Sequence, residues 1–389
     1  MVQNDSMELL KRLIAFPSVS LTPNIALIEY VQQLLAQAGI RSTLFREASG
    51  TRANLFATTG PAGVPGIVLS GHTDVVPVEG QAWSVPAFEA TERDGRVYGR
   101  GAADMKGFVA CAVQAMLRAA HRPLARPLHL ALSYDEEIGC VGVRSMLEAL
   151  ADTWLRPMLC IVGEPTMMQI ATGHKGKAAY QAICCGREGH SSRAPSYLNA
   201  IHVAADFVRG LRAAQDHVAE HGRQDTEFDI PYSTLHVGKI GGGKALNIVP
   251  NECVVDFEIR TIAGESVDDL LALGLDHTRK LMAADARDGR PRAELPTIRQ
   301  VNAYPGLEAC VEPEVMDAVA ASLPRETPKI KVAYGSEGGL FRQHLNAPVL
   351  VCGPGSIEQA HKPDEYVEVS QIKSCDEFLE RLVVMLACC

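Results

Sequence analysis

Apolar positions first recur at helical spacing. From Ser6 they repeat every three or four residues, and they do so again from about Asn24 until Gly39 stops the pattern. Both segments read as amphipathic helices. Short apolar runs follow at Ile67–Ser70, Leu128–Ser133 and Met158–Val162. Their length and their β-branched content predict buried strands. Helical patterns at about Met105–Ala120 and Gly142–Ala151 lie between them. Strands that alternate with helices predict an α/β sheet with parallel members.

The texture changes near Lys177. Ala178–Cys185, Tyr232–Val237 and Cys253–Arg260 read as strands, with longer helices at about Asn199–Glu220 and Ser266–Ala284. This predicts a small α+β domain whose sheet is covered on one side. Beyond Pro291 the α/β texture returns, with strands at Ile330–Ala333 and Pro348–Cys352 and a last helix at Ser370–Leu386. The predicted fold is an α/β catalytic domain with a central mixed sheet (residues 1–177 and 291–389). An inserted α+β domain of ferredoxin-like type (178–290) interrupts it.

Composition narrows the function. At 389 residues the chain is long enough for a large core, and its 47% apolar and 21% charged content is that of a globular protein. A net charge of −9 argues against binding nucleic acid or an anionic membrane surface by bulk electrostatics. The N-terminal sequence shows no secretory pattern, so a cytoplasmic location is expected. The 11 cysteines include the adjacent pairs Cys184–Cys185 and Cys388–Cys389 and read as reduced thiols.

The chemistry lies just beyond the predicted strands, where open α/β sheets bind ligands. Gly71-His72-Thr73-Asp74 follows the first run, Asp135-Glu136-Glu137 the second and Gly163-Glu164-Pro165 the third. Asp104 precedes the helix at Met105, and His361 lies near the C-terminus. Acids in this number cannot share a small volume without a cation. Two His and several carboxylates suit Zn²⁺, Co²⁺ or Mn²⁺. Two ions bridged by Asp104 use the set best, His72 and Glu164 on one, His361 and Glu137 on the other. Asp74, two positions from His72, is placed to orient its ring. Glu136, beside a ligand, is the general base that takes a proton from a polarised water and delivers it to a leaving nitrogen. Gly241-Gly242-Gly243-Lys244 lacks the Ser/Thr and helix of a phosphate loop and reads as a hairpin loop or hinge.

GHTDVVP (71–77), GRGAADMKG (99–107), DEEIG (135–139), GEPT (163–166) and HKPDE (361–365) stand in the order of one family. They resemble the zinc aminoacylase/carboxypeptidase-type metallopeptidases over essentially the whole chain. The resemblance implies two Zn²⁺ per subunit, replaceable by Co²⁺, and an inserted dimerisation or lid domain that makes a homodimer. It also implies Glu136 as base and His190 as an oxyanion-stabilising group reaching the partner's site. Asn247 and Arg260 match positions that hold substrate, Arg260 by pairing with an α-carboxylate. Glu337 departs from the family pattern and is read either as a contact for a cationic substrate end or as a helix N-terminal acid. GEPT, HKGK (174–177) and QAHKPDEY (359–366) are most similar to the acetylornithine-hydrolysing branch. That branch converts N2-acetyl-L-ornithine to ornithine and acetate in arginine synthesis. Other acyl substrates (succinyl-diaminopimelate, acylcitrulline, a dipeptide) and a non-catalytic binding protein are the alternatives.

Overall fold

The computed structural model describes residues 5–153, 155–284, 293–324 and 327–387. Its residues form two compact units. The first comprises residues up to 173, 307–331 and 336–389, and the second 174–306 and 332–335.

The first unit is built on a sheet that, among the described residues, has nine strands. From one edge the order is Arg41–Arg46, Ala53–Thr59, Leu128–Ser133, Ile67–His72, Leu159–Val162, Val349–Val351, Ala171–His174 and Leu307–Glu308. Ile330–Val332 pairs beside Ala171–His174. The four strands from Leu128–Ser133 to Val349–Val351 run parallel, while the Arg41–Arg46 and Ala53–Thr59 strands pair antiparallel. The sheet is therefore mixed. Every residue of Ile67–His72 and Leu128–Ser133 is buried, which requires cover on both faces. Helices Ser6–Ile14, Ile25–Gln37, Gly107–Ala119 and Val369–Ala387 pack as one group, and Val143–Ala151 packs with Gly338–Leu345.

Local signals set these elements. Asp5 caps the first helix by accepting the Met7 amide, and Gly39, at φ +75°, closes the turn after the second. The helices predicted from periodicity start and stop within a few residues of the expected positions, while Pro313–Ser322 and Gly338–Leu345 fall outside the predicted set.

The second unit holds a four-stranded antiparallel sheet in the order Thr234–Gly242, Glu252–Thr261, Gly176–Cys185, Thr297–Tyr304. Burial alternates along its two central strands, so one face carries the core. Helices Ala200–His221 and Val267–Ala284 supply that core's other half and touch closely at Gly210, where a Cβ would lie 2.1 Å from the Thr278 hydroxyl. Gly243, at φ +83°, lies just past the end of Thr234–Gly242 in the connection to Glu252–Thr261, so the glycine-rich run serves a hairpin.

The domain limits differ from those predicted. Thr297–Tyr304 pairs with Gly176–Cys185, so residues assigned to the returning catalytic part belong to the second unit. None of the strand's residues is buried, and its apolar residues are interspersed with polar ones, so no apolar run marks it. The predicted 290/291 limit and the Cys388–Cys389 pair lie outside the described residues. Among the described residues the cysteines are free thiols, Cys184 buried and Cys185 exposed. No described helix is long and apolar enough to cross a membrane.

Candidate metal centre

Parallel register brings the site together. Ile67 pairs with both Leu128 and Leu159, so three strands end at one edge of the first unit's sheet. His72 ends the central strand opposite Ser133, Glu136 and Glu137 follow Ser133, and Glu164 lies two residues past Val162. Asp104 enters from the turn before helix Gly107–Ala119, and His361 from the segment before strand Tyr366–Glu368.

Asp104 sits between two imidazoles. Its Oδ1 stands 3.0 Å from His72 Nε2, and its Oδ2 stands 3.5 Å from His361 Nε2. His361 Nε2 is also 3.0 Å from Glu137 Oε2. Two overlapping groups have ligand atoms close enough for an ion: His72, Glu136 and Glu164, and His72, Asp104 and Glu137. His72, Asp104, Asp74 and Glu164 are buried, Glu136 and Glu137 half-buried, and His361 is exposed. The predicted ligands therefore converge. Glu136 lies with His72 and Glu164 in the first of these groups.

The ring of His72 is oriented, though not chiefly by the Asp74 carboxylate. Its Nδ1 lies 2.9 Å from the Asp74 main-chain carbonyl, and the Asp74 Oδ1 is farther, at 3.5 Å. A carbonyl can only accept, so the proton belongs on Nδ1 and Nε2 is left to face a cation. The Asp74 carboxylate instead accepts the amides of Glu136 at 3.0 Å and Glu137 at 3.3 Å, and the Ser20 hydroxyl at 2.8 Å. Cys140 donates its thiol to Glu136 Oε1 at 3.2 Å. Ser20 and Cys140 had no sequence signal, since neither lies in a recognisable pattern.

Electrostatics agree with a cation site. Burial, then the neighbouring Asp104, holds the Glu164 carboxyl well above its usual range. Burial with Glu137 nearby raises Glu136, and burial with Asp104 nearby raises Glu137. Burial alone would raise Asp104 too, but His361 and His72 outweigh it and hold Asp104 low. Glu164 Oε1 is buried without a hydrogen-bond partner. An orphaned oxygen among crowded carboxylates and two imidazoles is the donor set of a divalent ion. The residues present fit one.

The remaining candidates differ. Glu337 is buried at the start of helix Gly338–Leu345, 1% exposed, with Oε2 at 3.4 Å from the Ser70 hydroxyl and Oε1 unpartnered. Burial raises its pKa to about 7. It lies close enough to His72, Asp74 and Glu136 to interact with them electrostatically, so it stands beside the candidate metal centre. Its place at the helix start matches the alternative reading. In the second unit, His190 is exposed and bridges to Ile248, beside exposed Asn247. Ser192 donates its amide to His190 Nδ1 at 3.2 Å, which leaves Nε2 to donate outward. Arg260 donates through Nε to Glu258 at 2.8 Å and is held in that ion pair.

Residues 68–385 match the model of peptidase family M20/M25/M40. An acetylornithine deacetylase of Photorhabdus laumondii is 33% identical over 384 residues, 97% of this chain and 96% of that protein. An M20-family metallo-carboxypeptidase of Sulfolobus solfataricus shares the fold at a TM-score of 0.78 and 19% identity, over 98% of this chain and 99% of that one. A Bacillus subtilis protein described as a dinuclear metal-binding M20 peptidase does so at 0.70 and 12%, over 98% and 97%. The chain thus belongs to peptidase family M20/M25/M40 and is a hydrolase of that family.

Proposed function

We propose that the chain is a metal-dependent amide hydrolase that removes the acyl group from an N-acyl-L-amino acid. The substrate that fits best is N2-acetyl-L-ornithine, cleaved to L-ornithine and acetate in arginine synthesis. The observation that carries the proposal is Asp104, whose two oxygens face His72 and His361, with Glu136 at their side. The substrate rests on likeness to relatives named acetylornithine deacetylase at about a third identity over nearly the whole chain.

Two Zn²⁺ ions, or Co²⁺ in their place, are the proposed cofactors. His72 and Glu164 would hold one, His361 and Glu137 the other, and Asp104 both. Bound there, they supply Lewis acidity to the amide carbonyl and to the attacking water. Glu136 accepts the proton of that water and passes it to the leaving nitrogen. Its place beside His72 and Glu164 puts it within reach of both the water and the leaving nitrogen. Asp74 fixes the main chain under Glu136 and Glu137. His190, with Nε2 free to donate, is the proposed oxyanion partner across a homodimer, and Asn247 and Arg260 the proposed substrate contacts. For Arg260 this requires that substrate compete with Glu258.

The test is amine release by zinc- or cobalt-loaded protein from acetylornithine, acetylcitrulline, acetylmethionine and succinyl-diaminopimelate. Acetylornithine should turn over fastest. E136Q should lose about 10²- to 10⁴-fold in kcat while retaining metal. No hydrolysis of any of the four by metal-loaded protein would reject the proposal.

A further inference from the structure

Glu365 lies in none of the roles above, yet both oxygens of its carboxylate are engaged beside the centre. It is 1% exposed. Its Oε1 accepts the amides of Ala103 at 2.9 Å and Asp104 at 3.1 Å. Its Oε2 accepts the Gly101 amide at 3.1 Å and Arg100 Nη1 at 2.7 Å. Strand pairing brings it there. Tyr366 lies opposite Tyr98 in an antiparallel ladder, and the Gly99 amide donates to the Glu365 carbonyl at 2.9 Å.

The same residues reach His361. Arg100 is buried, packs 5.0 Å from the Trp83 ring and donates to the Lys362 carbonyl and to Gln81 Oε1. Gln81 in turn donates to the His361 carbonyl at 2.9 Å. One carboxylate thus clamps the turn that ends in Asp104 to the segment that begins with His361. A carboxylate is suited to this, because all four of its partners are donors and a neutral amide would turn an NH₂ toward some of them.

We propose that Glu365 is a positioning residue for the metal centre: it sets the backbone of residues 101–104, and through it the direction in which Asp104 presents its two oxygens to His72 and His361. The proposal rests on the reading of Asp104 as a ligand shared by two ions. Fold stability alone would be weak grounds for such a group, since a buried ion pair is often no more stabilising than apolar residues of similar volume. A register role accounts for three hydrogen bonds to the chain in the turn that carries Asp104.

The experiment is zinc titration of metal-stripped protein against a chelating indicator, for wild type, E365Q and E365D. Near-UV circular dichroism checks the fold and a full-activity titration gives kcat. E365Q should bind zinc about 10- to 100-fold more weakly and show a lower kcat even when saturated. E365D keeps the charge and the Arg100 partner but is one methylene shorter, and it should recover part of the affinity. A merely structural Glu365 would lower the unfolding temperature of the stripped protein and leave zinc affinity unchanged. Wild-type zinc affinity in a folded E365Q overturns the proposal, and if E365Q does not fold, wild-type affinity in E365D does so. A wild-type protein that takes up no zinc overturns the reading of the centre itself, a separate outcome.

Discussion

The carboxylate of Asp74 accepts the main-chain amide of Glu136 at 3.0 Å, so the residue that follows the His72 strand also fixes the proposed base on the neighbouring strand's loop. Its second oxygen holds the next amide, that of Glu137. D74N would place an NH₂ against one of these donors. Activity should fall about 10- to 100-fold, with a matching loss of zinc affinity. Steady-state kinetics with a zinc titration measure both, and values within twofold of wild type would reject this role for Asp74.

Removing divalent ions should destabilise the first unit. With Glu164 Oε1 unpartnered and three acids crowded beside Asp104, the stripped centre keeps its repulsion and loses its counter-charge. Zinc at about 100 times its dissociation constant should restore about 3 kcal/mol. Scanning calorimetry with chelator and after zinc readdition tests this, and coincident unfolding curves would count against a metal centre here.

Gly163 is a point of close approach directly before Glu164. A Cβ there would lie 1.9 Å from the Phe108 ring, inside helix Gly107–Ala119 of the core. G163A should therefore cost about 1–3 kcal/mol through overpacking and displace Glu164. The expected outcome is a lowered urea midpoint together with weaker zinc binding. Full stability in G163A would mean that helix and strand can separate freely at this contact.

His129 makes the fold acid-sensitive apart from any metal chemistry. It lies buried in strand Leu128–Ser133, with Nδ1 2.8 Å from the Thr58 hydroxyl and Nε2 unpartnered. Burial lowers its pKa to about 4 from an ordinary 6.5. Between those values the unfolded chain binds a proton that the folded chain does not. Stability is therefore complete above about pH 6.5 and is lost as the pH falls toward 4. A shift of this size corresponds to about 3 kcal/mol. H129Q should reduce that slope in urea unfolding at pH 7 and pH 4.5, leaving the part due to buried His174, whose pKa burial likewise lowers to about 4, and an unchanged slope would assign the acid sensitivity elsewhere.

Much of the site could be read from the chain because four of its candidate residues lie at or just past strand ends. A strand that is apolar throughout must lie inside a sheet, and a polar residue just past its end must lie at the sheet's edge. That logic placed His72, Glu136, Glu137 and Glu164 from periodicity alone. It left two readings for Glu337, which also follows a strand and is buried at the start of helix Gly338–Leu345. It did not reach the role of Glu365 at all, because its partners are the Arg100 side chain and main-chain amides more than 260 residues away in the chain. Thr297–Tyr304 escaped notice because it is an edge strand whose exposed positions leave no apolar run.

The sequence by itself determined which elements form and which ligand chemistry they carry, since helix and strand periods and the spacing of His, Asp and Glu are local properties of the chain. Only the tertiary structure decided that Asp104 stands between His72 and His361, that Asp74 serves the backbone of Glu136, and that Glu365 ties residues 101–104 to the segment of His361. Those contacts join positions tens to hundreds of residues apart. Their geometry depends on sheet register and on burial, neither of which any short stretch of chain specifies.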